Sequence, residues 1–370
     1  MKKDPRGKNR RDFLSGRALQ GELRQVGEAL ADELGKTESR IPEGGDRIRL
    51  DKVAMACDFE VLLNPGDPEQ IGAASEALDL IDLLEDQMSV YRSHSEVMEI
   101  NRRAADVFVP VEPQLYSLFL RAARYSTETD GAFDLTTGPL IALWRACREV
   151  PRLPTPEELS AVLEHIGMDK VQFHDADLAM HFSRPGVELN LGAIGKGYAL
   201  DRASQFLQER GVSEYLLGAG GSSLLARGGH NGWPGWPVGL QHPLLPMRQL
   251  GTLLLTDRGW STSGSNVQYF EFEGRKYGHL LDPRSGWPAE SLLMATVLAP
   301  TAEQAEALST AFFVLGVEKT LEYCHNHSDV AAVLVPRPKR GRTLQPLACG
   351  LTEADVFPAS PDEPWTFVSP

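Results

Sequence analysis

The chain has 370 residues, of which 42% are hydrophobic and 24% are charged, and this is the composition of an ordinary globular protein. It holds 37 Lys and Arg residues against 51 Asp and Glu residues, so its net charge of −14 repels nucleic acid and anionic membrane surfaces. The four cysteines are far apart and form no C-x-x-C pair, which argues against a zinc knuckle or a dithiol redox centre.

Residues 1–46 differ from the rest of the chain, because a basic start is followed by an amphipathic, Glu-rich helical pattern over 18–34. Arg10 and Arg11 begin a segment, RRDFL, that is similar to the twin-arginine export motif. Charged residues interrupt the apolar segment that such a signal needs after it. We therefore predict a partly disordered leader and favour a cytoplasmic location, with export through the twin-arginine-like leader as the alternative. No uncharged run approaches the roughly 20 residues of a membrane span, so no transmembrane segment is expected.

From residue 48 onward, strand-like and helix-like segments follow one another. Apolar residues at helical spacing predict helices at 69–86 and 113–130. Apolar runs between Gly and Pro residues predict strands at 54–63, 187–191, 215–217, 237–241, 250–255, 276–281, 294–299 and 330–335. Because these segments lack the strict alternation of a doubly wound sheet, we predict an α+β fold with a mixed sheet.

A glycine-rich turn at 192–197 connects a predicted strand to a helix that runs on to Gly211. Unpaired amide N–H groups and the positive end of a helix point outward together at such a turn, which makes it an anion site, and Lys196 adds a full charge. The spacing fits neither the Walker motif nor G-x-G-x-x-G. The alternative is a tight turn with a solvated lysine.

A further helix is predicted from Thr301, which forms a capping box with Gln304, to Gly316 as the residue after the helix. Glu306 and Thr310 are four residues apart and share one face of it. A carboxylate and a hydroxyl are hard oxygen ligands that suit Mg²⁺, although a solvated Glu beside a Thr that bonds to its own helix is the ordinary interpretation.

Two further segments carry reactive groups beside turns. In GHLLDPRSGWP, His279 is a natural general base near neutral pH, or else a residue of a hydrogen-bonded turn. In GAFDLTTGPL, Phe133 and the following Trp144 can line a ring pocket while Asp134 accepts hydrogen bonds from a ligand. Equally, the aromatic residues can be core residues and Asp134 a turn former.

Together and in this order, these segments resemble the FAD:protein FMN transferases, also called the ApbE family. The resemblance runs from about Met55 to about Pro336, and its most specific part is the segment HLLDPRSG. It implies an ApbE-like flavin transferase domain over 47–340, followed by a C-terminal tail at 341–370. The other motifs that carry the resemblance are MSVYR at 88–92, GAGG at 218–221, TSG at 262–264 and the helix at 305–316.

The family's roles transfer to matching positions of this chain. The resemblance implies that FAD contacts Met55, Tyr91, Ala132, Phe133, Asp134, Asn190, Lys196 and Leu280. It implies that Mg²⁺ is held by the backbone oxygen of Ala193 and by the side chains of Glu306 and Thr310. His279 and Lys196 are the candidate catalytic residues, with His279 as the base.

The chain departs from the family's pattern at several of these positions. Position 306 is usually Asp and here is Glu, while position 190 is usually Asp and here is Asn. Ala56 and Cys57 replace the usual Gly-Thr after Met55, and Ser222 stands where a carboxylate or carboxamide is common.

The implied reaction is Mg²⁺-dependent transfer of the FMN moiety of FAD to a Thr or Ser hydroxyl of an acceptor protein, with release of AMP. FAD and the acceptor protein are the expected partners, and no nucleic acid is expected. The alternatives are a pyrophosphatase that cleaves FAD to FMN and AMP without an acceptor, and a non-catalytic FAD-binding protein.

Overall fold

The computed structural model describes residues 45–265, 269–338 and 343–369. Arg10, Arg11 and all but the last two residues of the predicted leader lie outside this part of the chain. In the described ranges, no helix is both long enough and apolar enough to cross a membrane.

The described residues form seven α-helices, and the predicted helices at 69–86, 113–130 and after the glycine-rich turn are confirmed. Their bounds are α1 Glu69–Met88, α2 Glu96–Arg103, α3 Pro113–Glu128, α4 Gly138–Glu149, α5 Pro156–Leu163, α6 Gly195–Glu209 and α7 Ala302–Asn326. The predicted N-cap of α7 is also confirmed, because the Thr301 hydroxyl accepts a hydrogen bond from the Gln304 amide at 3.2 Å. Gly316 has non-helical dihedral angles, so it interrupts α7 but does not end it.

The strands are short and follow one another through most of the chain. Their bounds are β1 Ile48–Ala54, β2 Cys57–Leu63, β3 Val109–Pro110, β4 Val171–His174, β5 Ala179–Phe182, β6 Tyr215–Ala219, β7 Ser223–Arg227, β8 Trp236–Gln241, β9 Gln249–Leu255, β10 Gly259–Gly264, β11 Tyr269–Phe272, β12 Arg275–Gly278, β13 Leu292–Ala299, β14 Ala331–Pro336, β15 Leu347–Cys349, β16 Val356–Pro358 and β17 Thr366–Val368.

Nine of these strands form one sheet in the order β1-β2-β6-β7-β10-β13-β14-β15-β17. Its neighbouring strands are antiparallel except for β15 and β17, which are parallel. Two sheets of three strands, β16-β9-β8 and β3-β5-β4, and the hairpin β11-β12 complete the strand pairing of the described residues. The fold is therefore α+β, as predicted.

Alternate residues of the nine-stranded sheet face two different cores. In β2, Val61 and Leu63 belong to one core, and Leu62 between them belongs to the other. In β14, Leu334 belongs to the first of these cores and Val333 to the second. Since side chains alternate across a strand, both faces of the sheet are buried, and this explains why its strands read as continuous apolar runs.

Helices cover one face of this sheet and a smaller sheet covers the other. Ile81 of α1, Leu200 of α6 and Phe312 of α7 pack in the first core. Trp236 of β8 and Leu253 of β9 pack in the second. A third, smaller cluster joins α4 and α5 to the hairpin β11-β12.

Three predicted strands need correction. The predicted strand 54–63 is a hairpin, because Met55 and Ala56 turn the chain with φ of 49° and 59°, the left-handed region that two-residue hairpin loops require. The predicted strand 187–191 contributes only one isolated bridge, between Thr137 and Glu188. The predicted strand 276–281 ends at Gly278, where the chain bends before it pairs again at Leu281.

The segment predicted as a C-terminal tail, 341–370, contributes to the fold, which therefore extends beyond residue 340. β15 pairs with β14, β17 pairs with β15, and β16 pairs with β9 of the smaller sheet. Leu344 and Val356 are buried in the second core. The apolar residues of this segment are few and scattered between Pro, Asp and Glu, so the sequence carries no strong periodic signal there.

Candidate active site

The start of α6 is shaped by a turn and by a close approach between two helices. The Asn190 side chain accepts a hydrogen bond from the Gly192 amide at 2.9 Å, so this Asn closes the turn on its own backbone. A Cβ atom on Gly197 would lie 2.3 Å from the backbone oxygen of Ala302, at the start of α7. Only glycine leaves room for the two helix starts to meet at this distance.

Lys196 and Glu306 form an ion pair where the two helices meet. The Lys196 ammonium lies against Oε1 of Glu306, whose side chain is only 5% exposed. The Gly197 amide donates to Oε2 of the same carboxylate at 2.6 Å, and the Ser223 hydroxyl lies 3.4 Å from Oε1. The anion site predicted at the start of α6 therefore holds a carboxylate of the chain itself.

Electrostatic effects at this pair keep Lys196 protonated. Burial lowers the pKa of the Lys196 ammonium, but the charge of Glu306 and its hydrogen bond outweigh burial, so the pKa is raised above its ordinary value. The interpretations of Lys196 as a solvated lysine and of Glu306 as a solvated carboxylate are both wrong.

A row of hydroxyl groups continues from Glu306 along α7 and β10. The Ser309 hydroxyl lies 3.0 Å from that of Ser263 and 3.1 Å from that of Ser261. The Ser263 hydroxyl is also 3.5 Å from that of Thr310. Ser309 and Thr310 are thus on the side of α7 that packs against β10, and Glu306 contacts Ser223 of β7, the strand beside β10.

These groups suit a hard cation in their chemistry. Within residues 45–265, 269–338 and 343–369, no three His, Cys, Asp or Glu side chains cluster in a way that could hold a metal ion. The predicted ligand set has one carboxylate, Glu306, with the Thr310 hydroxyl and the Ala193 backbone oxygen, and oxygen atoms are the ligands that Mg²⁺ prefers. A cation bound there would share Glu306 with Lys196.

Two acidic residues fix the start of α7 and thereby the position of Glu306. The Asp201 side chain, on α6, accepts hydrogen bonds from the amides of Ala302 and Glu303 at 2.9 and 2.8 Å. Two guanidinium nitrogens of Arg121, on α3, donate hydrogen bonds to the Glu303 carboxylate, one of them at 2.7 Å. Burial raises the pKa of Asp201 to about 7, an effect that its two amide donors partly offset.

The hairpin turn at Met55 lies near the ion pair. Burial raises the pKa of the Cys57 thiol, the charge of Lys196 lowers it and that of Glu306 raises it, so all three groups are close together. Gly220 packs against Cys57, since a Cβ atom on this glycine would lie 3.2 Å from the cysteine Cβ. The turn thus brings Met55 to the region where α6 and α7 begin.

Asp134 serves as a turn former in this structure. Its carboxylate accepts hydrogen bonds from the Thr136 amide at 2.7 Å and the Met168 amide at 3.0 Å, and also from the Thr136 hydroxyl. Burial raises its pKa, while these hydrogen bonds lower it. Ala132 and Phe133 are each about 1% exposed. They belong to the first core, the helix-side core of the large sheet, so the structure does not present their side chains to a ligand.

Tyr91 is 74% exposed, and Arg145 orients its ring. An Arg145 guanidinium nitrogen donates to the Tyr91 hydroxyl at 2.7 Å, and the guanidinium carbon lies 5.4 Å from the ring centroid. Arg145 belongs to α4, which also carries Trp144, so this helix connects Tyr91 with the segment that follows His279.

The segment after His279 is held by a tight turn. Arg284 donates two hydrogen bonds to Asp282, at 2.8 and 2.9 Å, and the Trp144 indole N–H donates to the Gly286 oxygen at 2.7 Å. His279 itself is exposed, directly after β12, and Leu280 packs partly against the helix-side core.

The structure brings the four predicted segments together through a chain of contacts. The Asn190 amide donates to the Leu135 oxygen at 2.7 Å, and so the segment with Asp134 runs beside the glycine-rich turn. Arg284 packs against the position of Gly131, where an added Cβ atom would lie 3.8 Å from its Cγ.

Sequence reasoning missed several residues of this region. Ser223, Ser309, Arg145 and Asp201 gave no signal, because each acts on a partner that is far away in the chain. The one available hint was Ser263, which lies in the TSG motif of the resemblance.

A profile of the ApbE family matches residues 55–334 of this chain. A protein of Klebsiella pneumoniae (strain 342) named FAD:protein FMN transferase is 33% identical over 267 residues, which cover 71% of this chain and 82% of that protein. A protein of the same name from Escherichia coli (strain K12) is 31% identical over 248 residues, covering 65% and 70%.

Solved structures agree with this match. The ApbE protein of Thermotoga maritima superposes with a TM-score of 0.72 at 29% identity, covering 79% of this chain and 94% of that protein. A mutant of the flavin transferase ApbE of Vibrio cholerae superposes with a TM-score of 0.72 at 25% identity, covering 82% and 97%. The predicted ApbE-like fold is confirmed.

Proposed function

The chain belongs to the ApbE family, and on that basis we propose that it is an FAD:protein FMN transferase. It transfers the FMN moiety of FAD to a Thr or Ser hydroxyl of an acceptor protein and releases AMP. The observation that carries this proposal is the Lys196 ammonium at the start of α6, beside the buried Glu306 carboxylate. A helix start with a lysine is suited to the pyrophosphate of a dinucleotide.

The proposed reaction is an attack on phosphorus. The acceptor hydroxyl oxygen forms a bond to the FMN-side phosphorus, and the bond from that phosphorus to the oxygen of the AMP group breaks. The hydroxyl proton passes to His279, and AMP leaves with the electron pair of the broken bond. Lys196 lies where it can neutralise negative charge that grows on the phosphate oxygens.

We also propose that the reaction depends on Mg²⁺. The backbone oxygen of Ala193 with the side chains of Glu306 and Thr310 would hold the ion, because Mg²⁺ prefers oxygen ligands. When bound, Mg²⁺ supplies positive charge that polarises the phosphate groups. The hydroxyl groups of Ser263 and Ser309 keep the surroundings of Thr310 polar.

The experiment that tests the function measures AMP release from FAD by the purified full-length chain, with and without Mg²⁺. A Thr-containing peptide is present in half of the reactions, and its mass is followed for the addition of an FMN group. AMP release together with a labelled peptide is the expected result.

Other results lead to other functions. AMP release that leaves the Thr-containing peptide unlabelled favours a pyrophosphatase that uses water as its acceptor, or a mismatched acceptor peptide. Tight FAD binding without AMP under any condition identifies a binding protein. The same rate with and without Mg²⁺ contradicts the metal proposal alone.

A further inference from the structure

A cavity next to the His279 segment takes no part in the proposed chemistry. Its volume is about 360 Å³, and it is lined by Arg275, Tyr277, Trp287, Pro288 and Glu290. Ligand sites in proteins span about 300–1,000 Å³, so this cavity is at the small end of that range. Its size suits one or two side chains and is too small for a whole dinucleotide.

Strand register places this cavity beside His279. Leu281 pairs with Pro288 in an antiparallel bridge, and the Ala289 amide donates to the Leu280 oxygen at 2.8 Å. Tyr277 of the lining belongs to β12, and His279 directly follows that strand. A wall of the cavity therefore adjoins the segment that carries the proposed base.

The base of the cavity is a rigid aromatic cluster. The Tyr277 ring stacks on Phe270 with centroids 5.3 Å apart, and Trp144 meets Trp287 edge to face at 5.5 Å. Trp144 is itself held by its hydrogen bond to Gly286. The cluster needs little reordering to receive a ligand, which keeps the entropic cost of binding low.

The lining combines the exposed Trp287 ring with charged groups, and the Arg275 guanidinium covers the Tyr277 ring at 5.3 Å from its centroid. Trp287 is 38% exposed, and Pro288 lies next to it in the wall. Arg275 contacts both oxygens of Glu290 at 2.9 and 3.1 Å, and this exposed pair carries no net charge. An apolar side chain gains from contact with Trp287 and Pro288, and the charges of Arg275 and Glu290 satisfy each other.

We propose that this cavity holds an apolar side chain of the acceptor protein, close in sequence to the hydroxyl that receives the FMN moiety. The inference rests on the proposed function, since it takes His279 to act on that hydroxyl. It assigns local acceptor specificity to Trp287 and Pro288, and it leaves FAD recognition to the start of α6.

The test uses the full-length protein and synthetic peptides as probes. Each peptide has one Thr in a Gly-Ala background. In each peptide, a single Leu replaces one of the three residues before the Thr or one of the three residues after it. We expect one or two Leu positions to raise kcat/KM for peptide labelling about tenfold over the all-Ala background.

Variants then locate the source of this preference. Trp287→Ala should reduce the Leu preference to less than twofold, and Trp287→Phe should keep part of it. Phe108→Ala is the matched control, since Phe108 is also an exposed ring, at 48%, and belongs to a different part of the fold. The dissociation constant for FAD is measured for every variant and should stay within twofold of the parent value.

Three results would overturn the assignment. One is a Leu preference that survives Trp287→Ala, and another is a loss of FAD affinity in that variant, which would place the cavity in the FAD site. The third is the absence of any preference among labelled peptides. A parent protein that neither binds FAD nor releases AMP would instead refute the proposed function, so the two failures are distinguishable.

Discussion

Charge pairing at single residues controls the stability of the site. Glu306 receives donors from Lys196 and Gly197 at the start of α6 and from Ser223 at the start of β7. Removing one partner of a largely buried pair leaves the other charge without compensation, and this costs more than the pair contributes.

We expect Lys196→Met to lower the free energy of unfolding by about 3 kcal/mol, because it leaves the Glu306 carboxylate without its charged partner. Glu306→Gln alone should also destabilise the protein, and the double variant should lose less than the sum of the two. Urea denaturation of all four proteins measures this coupling. Lys319→Met is the control, because it breaks an exposed pair with Asp130 and should cost less than about 1 kcal/mol. Additive effects of the two site variants would contradict a buried pair.

His279→Ala should lower the rate of peptide labelling by about 10²- to 10⁴-fold, the usual contribution of a general base. FAD affinity should stay the same, because the residue is proposed to act on the acceptor hydroxyl. His174→Ala, at an exposed His on β4, is the control and should label at the parent rate. A His279→Ala protein with the full rate removes the residue from the mechanism.

His230 makes the stability of the protein depend on pH. The Asn64 amide nitrogen donates to the Gly229 oxygen at 3.0 Å, so the Asn64 oxygen faces Nδ1 of His230, at 2.6 Å, and receives its proton. Nε2 then has to accept the hydrogen bond from the Gly45 amide, 3.0 Å away, which requires a neutral ring. Burial is the largest cause that lowers the pKa of His230 below 6.5.

As the pH falls, the His230 ring takes up a proton at a higher pH in the unfolded chain than in the folded protein. The stability that the neutral ring provides is therefore complete above pH 6.5 and is lost as the pH falls through the lowered pKa of the folded state. We expect the free energy of unfolding to fall between pH 7 and pH 5 by no more than about 1.4 kcal/mol per pH unit on account of this group. His230→Gln should show a flatter dependence in urea denaturation over the same range. Equal slopes in both proteins would mean that His230 titrates alike in the folded and unfolded states.

At the scale of elements, the site depends on how closely α6 and α7 approach. Sequence patterns located both helix starts and singled out Lys196 and Glu306. They did not reveal the ion pair, because these residues are separated by 110 positions and meet only once the sheet has placed both helices on one face. The hairpin at Met55 was missed for a local reason, since Met and Ala at positive φ lack the Asn-Gly signal of such turns.

We expect Gly197→Ala to destabilise the protein by about 1–3 kcal/mol, because the added methyl group meets the backbone of α7 and forces the helices apart. Gly195→Ala is the matched control on the same helix. Its added Cβ atom finds its nearest neighbour, the Leu191 Cβ, at an ordinary 3.7 Å, so we expect no loss of stability. Thermal unfolding followed by circular dichroism compares the two, and an equal melting temperature for both would contradict the close approach.

At the scale of the whole molecule, the last three strands complete two sheets, the nine-stranded sheet and the sheet β16-β9-β8. The fold class and most of the central strands were predictable from apolar runs and helical spacing. The last three strands were not, because each has three residues and depends on the edge offered by β14 or β9. Such short strands are stable only as additions to an existing sheet.

A chain that ends at residue 340 should therefore fail to unfold cooperatively and should aggregate, because it exposes the edge of β14 and part of the second core. A chain that ends at Val368 keeps every strand and serves as the control. Soluble yield and the steepness of thermal unfolding measure the difference. A cooperative transition in the shorter chain would show that 341–370 is a dispensable tail.

The hydrogen bond from the Gly197 amide to Glu306 also has a kinetic consequence. An N–H group at the start of a helix serves one strong acceptor at a time, so a phosphate oxygen that takes this donor arrives only when the carboxylate has turned aside. Nucleotide association then contains a unimolecular step, and its observed rate levels off as the nucleotide concentration rises instead of increasing in proportion. The plateau rate measures how often the Glu306 carboxylate breaks its hydrogen bond to the Gly197 amide.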